Sequence, residues 1–193
     1  GIILGCIAGL CKDKLPDAII RVFSSIGISM PGYVIASGLM IFLAVNLKVL
    51  PVNYNKPGGW VMPMLTLAIY PTSYLTRLTR ASILEVMNQD YLRTERAKGM
   101  SEFVVVFIHA LKNSLIPVIT YLGPLTASIL TGGFVAESVF SVPGLGRYFV
   151  SSISSRDYTM IMGVTIFYSA LIVFMNLICD ILYKIVDPRI QLD

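Results

Sequence analysis

Charged side chains are scarce in this sequence. Asp, Glu, Lys and Arg together make up 13% of its 193 residues, about half the share found in ordinary soluble domains. Hydrophobic residues make up 55%, and the mean hydropathy is +0.76. This balance excludes an ordinary soluble domain and predicts an integral membrane protein. The formal net charge of +4 then reflects membrane topology, and we expect no nucleic-acid partner.

Residues with catalytic or metal-binding chemistry are also few. The chain has one histidine, His109, and three cysteines, and these residues lack the spacing of a metal site. It contains no G-x-x-x-x-G-K-[ST] phosphate loop and no H-E-x-x-H sequence. We therefore expect no catalytic, metal or cofactor-binding site in this chain, and we do not expect an enzyme.

Long charge-free runs are abundant instead. Four of them reach the roughly 20 residues that a helix needs to cross a bilayer: 22–47, 57–76, 113–136 and 158–179. A shorter run, 1–11, is expected to be the partial end of a truncated fifth span. The runs are continuously apolar, which favours helices over strands of alternating polarity. The predicted fold class is an all-α integral membrane protein, a polytopic helical bundle that forms one transmembrane domain over residues 1–193.

The polar stretch 77–112 separates the second and third of these runs. It holds six of the 15 Lys and Arg residues and four of the 11 acidic residues. When the loops are assigned alternately to the two sides of the membrane, 11 basic residues fall on the side of this stretch and four on the other. The positive-inside rule therefore places residues 77–112 and the C-terminus in the cytoplasm.

Two helices are predicted inside this stretch. Asp90 has the side chain of an N-cap for a helix over 91–98, and Gly99 is suited to close that helix in the left-handed conformation. Ser101 can cap a second helix, in which five apolar residues recur at helical spacing and are expected to share one face: Phe103, Val106, Phe107, Ala110 and Leu111. From the residues alone, a docking surface and a solvated loop are equally open interpretations.

Prolines and glycines interrupt the apolar runs. Pro31 lies in the first complete run, Pro63 and Pro71 lie in the second, and Pro124 lies in the third. Helix breaks at membrane depth are tolerated beside other helices or a water-filled cavity, so they favour a transport pathway. The alternative is the general enrichment of Pro and Gly in membrane helices.

Two groups of polar and turn-forming residues are further candidates. The outer loop 137–147 contains residues that suit tight turns: Pro143, Gly144 and Gly146. It is either an extracellular gate or docking surface, or a plain connecting hairpin. In the last run Asn176 and Asp180 are four residues apart and share one helical face. For this pair a structural hydrogen-bonding role is favoured over a role in substrate binding.

Two segments of the polar stretch carry a family resemblance. Residues 90–99 read Asp-Tyr-Leu-Arg-Thr-Glu-Arg-Ala-Lys-Gly, and residues 109–117 read His-Ala-Leu-Lys-Asn-Ser-Leu-Ile-Pro. Together they resemble the cytoplasmic signature of ABC importer permeases of the oligopeptide, dipeptide and nickel class. Other blocks of this family are similar to residues 77–82, 137–146 and 187–189, so the resemblance covers nearly the whole chain.

The sequence departs from the general signature of type I importers at two places. That signature has Glu-Ala-Ala where Arg93, Thr94 and Glu95 stand, and it ends in a Leu-Pro pair where Leu111 and Lys112 stand. Both departures suit the peptide branch of the family.

The resemblance implies a subunit with the type I importer fold, whose short cytoplasmic helix docks on an ATPase subunit. Residues 90–99 would be this coupling helix, with the following residues at the contact: Asp90, Tyr91, Arg93, Glu95, Ala97, Lys98 and Gly99. The outer gate would lie near Glu137, Phe140, Pro143, Gly144 and Gly146. The first span of the family and a large extracellular segment after it have no counterpart in this sequence, so we expect a C-terminal fragment.

The resemblance also implies partners and a location in the inner membrane of a bacterial-type cell. Two ATP-binding subunits would bind ATP and Mg²⁺ and dock at 90–99, a second homologous permease would complete the pathway, and an extracellular or periplasmic solute-binding protein would deliver substrate. Peptides are the expected substrate class, with nickel or another small solute as the alternative. A secondary transporter or channel would need ionisable groups inside its spans, and a receptor or scaffold would not need broken helices; both classes are less favoured.

Overall fold

The structure is a computed structural model that describes residues 1–130 and 133–186. Over these residues the chain forms eleven α-helices and two π-helical segments, in this order: α1 (Ile2–Leu10), α2 (Leu15–Ser29), α3 (Gly32–Leu39), a first π-helical segment (Met40–Asn46), α4 (Val61–Met87), α5 (Asp90–Ala97), α6 (Glu102–Val104), a second π-helical segment (Val105–Ala110), α7 (Leu111–Ser114), α8 (Ile116–Leu130), α9 (Phe134–Val139), α10 (Leu145–Ser155) and α11 (Tyr158–Val186). The predicted all-helical fold class is confirmed over this part of the chain.

Two helical stretches of the described residues are long and apolar enough to cross a membrane. They are Glu102–Thr126 and Tyr158–Ile178, and a third candidate arises if the broken pair Leu15–Ser29 and Gly32–Asn46 forms one span. The predicted span 57–76 lies mostly within α4, which continues into the polar stretch as far as Met87. The predicted number of four complete spans therefore stays a prediction.

The prolines act differently along the chain. Pro31 separates α2 from α3 and is the N-cap residue of α3, so the predicted break occurs there. Pro63 lies in the first turn of α4, where a missing backbone N–H costs little. Pro71 and Pro124 lie inside α4 and α8, and both helices continue through them. Sequence spacing alone does not separate a proline that ends a helix from one that the helix accommodates.

The chain folds as two compact units, which are described separately. Unit 1 comprises Gly1–Ser29 and Tyr70–Tyr121, and unit 2 comprises Met30–Ile69 and the described residues from Leu122 onward. Unit 2 has a buried cluster whose members come from α3, α4, α9 and the residue that follows α9: Ala36, Met62, Ala136 and Phe140. Phe140 is 1% exposed and is among the largest fully buried side chains. This cluster fixes the start of the outer loop.

Glycines bring α1 close to the second half of α4 in unit 1. A Cβ atom added to Gly5 would lie 2.5 Å from Cβ of Thr79 and 2.7 Å from the carbonyl oxygen of Thr76. A Cβ atom added to Gly9, one turn later, would lie 2.8 Å from Cγ2 of Ile83. Small residues four apart allow this close approach between membrane helices. The packing of α1 therefore depends on the absence of side chains at both positions.

A comparison of two glycine variants tests this packing. Gly5→Ala places a methyl group against Thr79, so we expect it to lower the free energy of unfolding by about 1–3 kcal/mol. The control is Gly38→Ala in α3, where no atom lies within 4 Å of the added Cβ. That control should be neutral or slightly stabilising, because Ala favours a helix over Gly by roughly 0.8 kcal/mol. Thermal unfolding of the purified protein in detergent measures both changes, and equal unfolding temperatures would contradict the close packing.

Candidate functional site

The short helix of the polar stretch forms as predicted, with a shifted start. α5 covers Asp90–Ala97, and Gln89 is its N-cap residue without a side-chain cap hydrogen bond. The prediction that Asp90 caps a helix beginning at Tyr91 is therefore wrong by one position. Asp90 lies in the first helical turn, where a carboxylate is favoured by the helix dipole, and its Oδ1 accepts a hydrogen bond from Nη1 of Arg93 at 3.3 Å.

The end of α5 confirms the expected role of Gly99. Gly99 has a φ of +82°, and the backbone N–H of Met100 donates to the carbonyl oxygen of Glu95 over 3.3 Å. A glycine adopts this left-handed conformation without the steric cost that a Cβ adds. No heavy atom lies within 4 Å of a Cβ added to Gly99, so the requirement for glycine at this position is conformational. The chain can therefore reverse immediately after α5.

Leu92 fixes α5 to the rest of unit 1. Its side chain is fully buried, in a cluster with Val105 and Ala110 of the second π-helical segment. Val86 and Met87, at the end of α4, pack against the same cluster. Full burial of a leucine side chain stabilises by roughly 1.5–3 kcal/mol. One apolar contact thus connects α5 both to the helix before it and to the helix after it.

Polar contacts outside this cluster also hold α5. The hydroxyl of Tyr91 accepts a hydrogen bond from Nδ2 of Asn113 at 2.9 Å, and Nε of Arg96 donates to Oε1 of Glu102 at 2.7 Å. These pairs are exposed, and each contributes at most about 1 kcal/mol. They orient α5 more than they stabilise it.

The second helix of the polar stretch buries only part of the predicted apolar face. Ala110 is buried, whereas Phe103 is 68% and Phe107 49% exposed. The rings of these two phenylalanines stack at a centroid distance of 4.7 Å, so they share a face as predicted. Val105, which the spacing did not include, is buried as well, in a segment that is π-helical over Val105–Ala110. Ser101 is the N-cap residue of α6, as expected, but its side chain makes no cap hydrogen bond.

The coupling segment, defined as residues 90–112, therefore presents a mixed surface. Arg93 is largely exposed, with 73% of its side-chain surface accessible, and Ala97, Lys98 and Gly99 are exposed as well. Glu95 is half-buried; its Oε1 accepts a hydrogen bond from Nζ of Lys98 at 3.4 Å. Its Oε2 is buried and has no hydrogen-bond partner among the described residues.

The outer loop is held by a carboxylate placed at the start of α10. Oε2 of Glu137 accepts a hydrogen bond from the backbone N–H of Arg147 at 3.0 Å. A Cβ atom added to Gly144 would overlap the Glu137 carboxylate, and one added to Gly146 would lie 2.8 Å from Cα of Phe134. A negative charge at a helix N-terminus is stabilised by the unpaired N–H groups there.

The sequence led us to expect Gly144 and Gly146 in tight turns, and the structure does not place them there. Gly144 is extended, with a φ of −130°, and the positive φ in the loop, 55°, belongs to Ser141. Gly144 and Gly146 instead provide room for the Glu137 carboxylate and for α9. Pro143 lies in the connection between α9 and α10. Of the predicted gate residues, Gly144 and Gly146 thus adjoin the Glu137 carboxylate, whereas Phe140 lies in the core of unit 2.

The predicted polar face of the last run is described only in part. Asn176 lies on α11 and is exposed. The side chain of Asp180 and residues 187–189 lie outside the described residues.

A buried ion pair in unit 1 was not predicted. Asp17 is fully buried; it accepts hydrogen bonds from Nε of Arg80 at 2.6 Å and Nη2 of Arg80 at 2.8 Å. The backbone N–H of Asp13 donates to the same carboxylate at 3.0 Å. Removing one partner of a buried pair costs roughly 3–5 kcal/mol, so this contact fixes the predicted cytoplasmic ends of α2 and α4.

The family described as "Binding-protein-dependent transport system inner membrane component" matches residues 1–192. The chain belongs to this family.

Relatives with similar sequences carry names from peptide transport. The dipeptide transport system permease protein of Bacillus subtilis (strain 168) is 47% identical over 193 residues, which is 100% of this chain and 63% of that protein. The dipeptide transport system permease protein of Lactococcus lactis subsp. cremoris (strain MG1363) is 40% identical over 202 residues, covering 100% of this chain and 65% of that protein. The oligopeptide transport system permease protein of Haemophilus influenzae is 38% identical over 199 residues, covering 99% of this chain and 63% of that protein. The chain thus spans about two thirds of the length of these relatives.

A substitution of Leu92 tests how α5 is attached. Leu92→Ala removes the buried side chain, and we expect a local loss of about 2–5 kcal/mol. Hydrogen–deuterium exchange of residues 90–99 in the purified permease should become faster, while exchange in α11 stays unchanged. Arg93→Ala is the matched control, since Arg93 is exposed. Its loss should leave the exchange rate of residues 90–99 within a factor of about two of the rate in the unchanged protein. Equal protection of α5 in the Leu92→Ala variant and the unchanged protein would contradict the attachment.

Proposed function

We propose that the chain forms the membrane-spanning part of one permease subunit in an ATP-driven importer of short peptides. Membership of the inner-membrane transport family supports the importer role, and the names of the similar proteins support dipeptides or oligopeptides as substrates. In this proposal the subunit provides half of the translocation pathway and does not hydrolyse ATP itself. A second homologous permease provides the other half, and a solute-binding protein delivers the peptide from outside.

The observation that carries the proposal is the exposed surface of α5 and of the turn that follows it. Tyr91 and Met100 are each 39% exposed there, in the same short segment as the exposed charges of Arg93 and Lys98. Aromatic and arginine side chains are the ones that contribute most to protein interfaces. We assign this surface to docking of two ATP-binding subunits, one per permease, which bind ATP and Mg²⁺.

Transmission from the docked ATPase follows from the attachment of α5. The buried Leu92 contacts Val105 and Ala110 on one side and adjoins Val86 and Met87 on the other. A displacement of α5 therefore acts on the end of α4 and on the helix that begins at Glu102. Packed helices move as rigid bodies between discrete states. ATP binding and hydrolysis would use this connection to alternate the access of the pathway.

The outer loop forms part of the periplasmic or extracellular gate in this proposal. The Glu137 carboxylate and the glycines around it give the connection between α9 and α10 a fixed shape. A fixed surface suits a contact with the solute-binding protein, because little conformational entropy is then lost on docking.

A reconstituted importer tests the proposed function. Proteoliposomes containing both permeases, the ATP-binding subunits and the solute-binding protein should accumulate a labelled dipeptide only when ATP is present. Accumulation without ATP would contradict the importer mechanism, and import of nickel but not of peptides would contradict the substrate class.

A substitution at Gly99 tests coupling in the same system. Gly99→Val places a β-branched residue at a φ of +82°, which costs roughly 1–2 kcal/mol and disturbs the end of α5. We expect ATP-dependent peptide uptake to fall about tenfold, with membrane insertion unchanged and ATP hydrolysis no longer linked to uptake. Gly38→Val is the matched control, because Gly38 has no positive φ and no atom lies within 4 Å of its added Cβ, and it should retain uptake within a factor of about three. Full uptake by the Gly99→Val variant would contradict the coupling role of Gly99.

A further inference from the structure

Unit 1 contains a basic cleft between α2 and α4 that the transport proposal does not use. Its volume is about 560 Å³, and its lining includes three arginines, Arg21, Arg77 and Arg80. Ser25 of α2 and the tyrosines Tyr70 and Tyr74 of α4 also line it. The lining residues include no carboxylate.

The positive charge of this cleft is only partly compensated. Asp17 binds Arg80 through two hydrogen bonds and lies 3.5 Å from Nε of Arg21. Asp13 lies close enough to Arg80 to favour its charged form. Arg77 makes no hydrogen bond or ion pair with any residue that the structure describes. The surplus positive charge therefore resides mainly on Arg77 and on Arg21, whose side chain is 49% exposed.

Hydroxyl groups complete a set of donors around this charge. The hydroxyls of Ser25, Tyr70 and Tyr74 have no hydrogen-bond partner among the described residues. The ring of Tyr74 is fixed against Tyr121, with ring centroids 4.3 Å apart. Guanidinium and hydroxyl groups together are the usual donors to phosphate oxygens, and the planar guanidinium can bind two oxygens at once.

The position of the cleft favours a lipid over a soluble anion. The positive-inside rule places Arg21 and Arg77 at the cytoplasmic ends of the predicted spans 22–47 and 57–76. Next to Arg21 on α2, Val22 is 58% exposed, so this helix offers apolar surface to an acyl chain. Basic pockets between membrane helices on the cytoplasmic side suit the phosphate groups of anionic lipids. A zwitterionic peptide fits less well, because the lining offers no carboxylate for its ammonium group.

We propose that this cleft binds the phosphate group of an anionic phospholipid from the cytoplasmic leaflet, with Arg77 and Arg21 as the charged partners. Arg80 is a positioning residue, since its guanidinium is already held by Asp17. The bound lipid would fill the space between α2 and α4 on the side where the coupling segment begins.

Lipid retention by the purified permease tests this site. The protein is reconstituted in nanodiscs of phosphatidylcholine with increasing phosphatidylglycerol, and bound lipid is measured by native mass spectrometry after mild delipidation. We expect the unchanged protein to retain phosphatidylglycerol selectively and Arg77→Gln to bind it about tenfold more weakly, as the loss of one charged hydrogen bond predicts. Arg77→Lys keeps the charge but not the planar donor pair. Its affinity for phosphatidylglycerol should lie between those of the unchanged protein and Arg77→Gln.

One control variant and two competition experiments make the result decisive. Lys12 is exposed, lies on the same predicted side of the membrane and is not part of the cleft, so Lys12→Gln should retain phosphatidylglycerol as the unchanged protein does. Equal retention by Arg77→Gln and the unchanged protein, at equal unfolding temperatures, would overturn the proposal. Displacement of the lipid by millimolar inorganic phosphate would overturn it in favour of a free-anion site. Displacement by a dipeptide would overturn it in favour of a substrate site.

Discussion

The burial of Leu92 is the contact on which the proposed coupling depends. α5 has eight residues, which is too short for an isolated helix to be stable in water. Its polar contacts are exposed and weak, so the apolar contact with Val105 and Ala110 provides most of its attachment. Because the same contact reaches the end of α4, α5 cannot move without acting on the helices on both sides of it.

Within unit 1, glycines allow α1 to lie against α4, and the Asp17–Arg80 pair joins α2 to α4. In unit 2, the Glu137 carboxylate accepts a hydrogen bond at the start of α10. The proposed movement of α5 would therefore act, within unit 1, on helices that are packed closely against one another, and packed helices move as rigid bodies between discrete states.

The sequence predicted the parts of this structure that depend on local pattern. Continuous apolar runs indicated helices, and Gly99 was correctly expected to end α5 in a left-handed conformation. The spacing correctly placed Phe103 and Phe107 on one face of the following helix. It did not include the buried Val105, because spacing rules assume an α-helical period and the chain forms a π-helical turn there. The Asp17–Arg80 pair joins residues 63 positions apart, and no local pattern signals such a contact. The glycines near Glu137 suggested turns, whereas their role is to leave room for a carboxylate, which becomes visible only in three dimensions.

The most direct test of the account is a cross-linking measurement on the coupling segment in the assembled transporter. A photoreactive amino acid placed at the exposed Arg93 or Lys98 should cross-link to an ATP-binding subunit in native membranes. The same group at the exposed Lys56, on the other predicted side of the membrane, should not. Such a result would show that the exposed surface of α5 is the ATPase contact. Absence of any cross-link to an ATP-binding subunit from Arg93 and Lys98, in membranes that import peptide, would contradict the central claim.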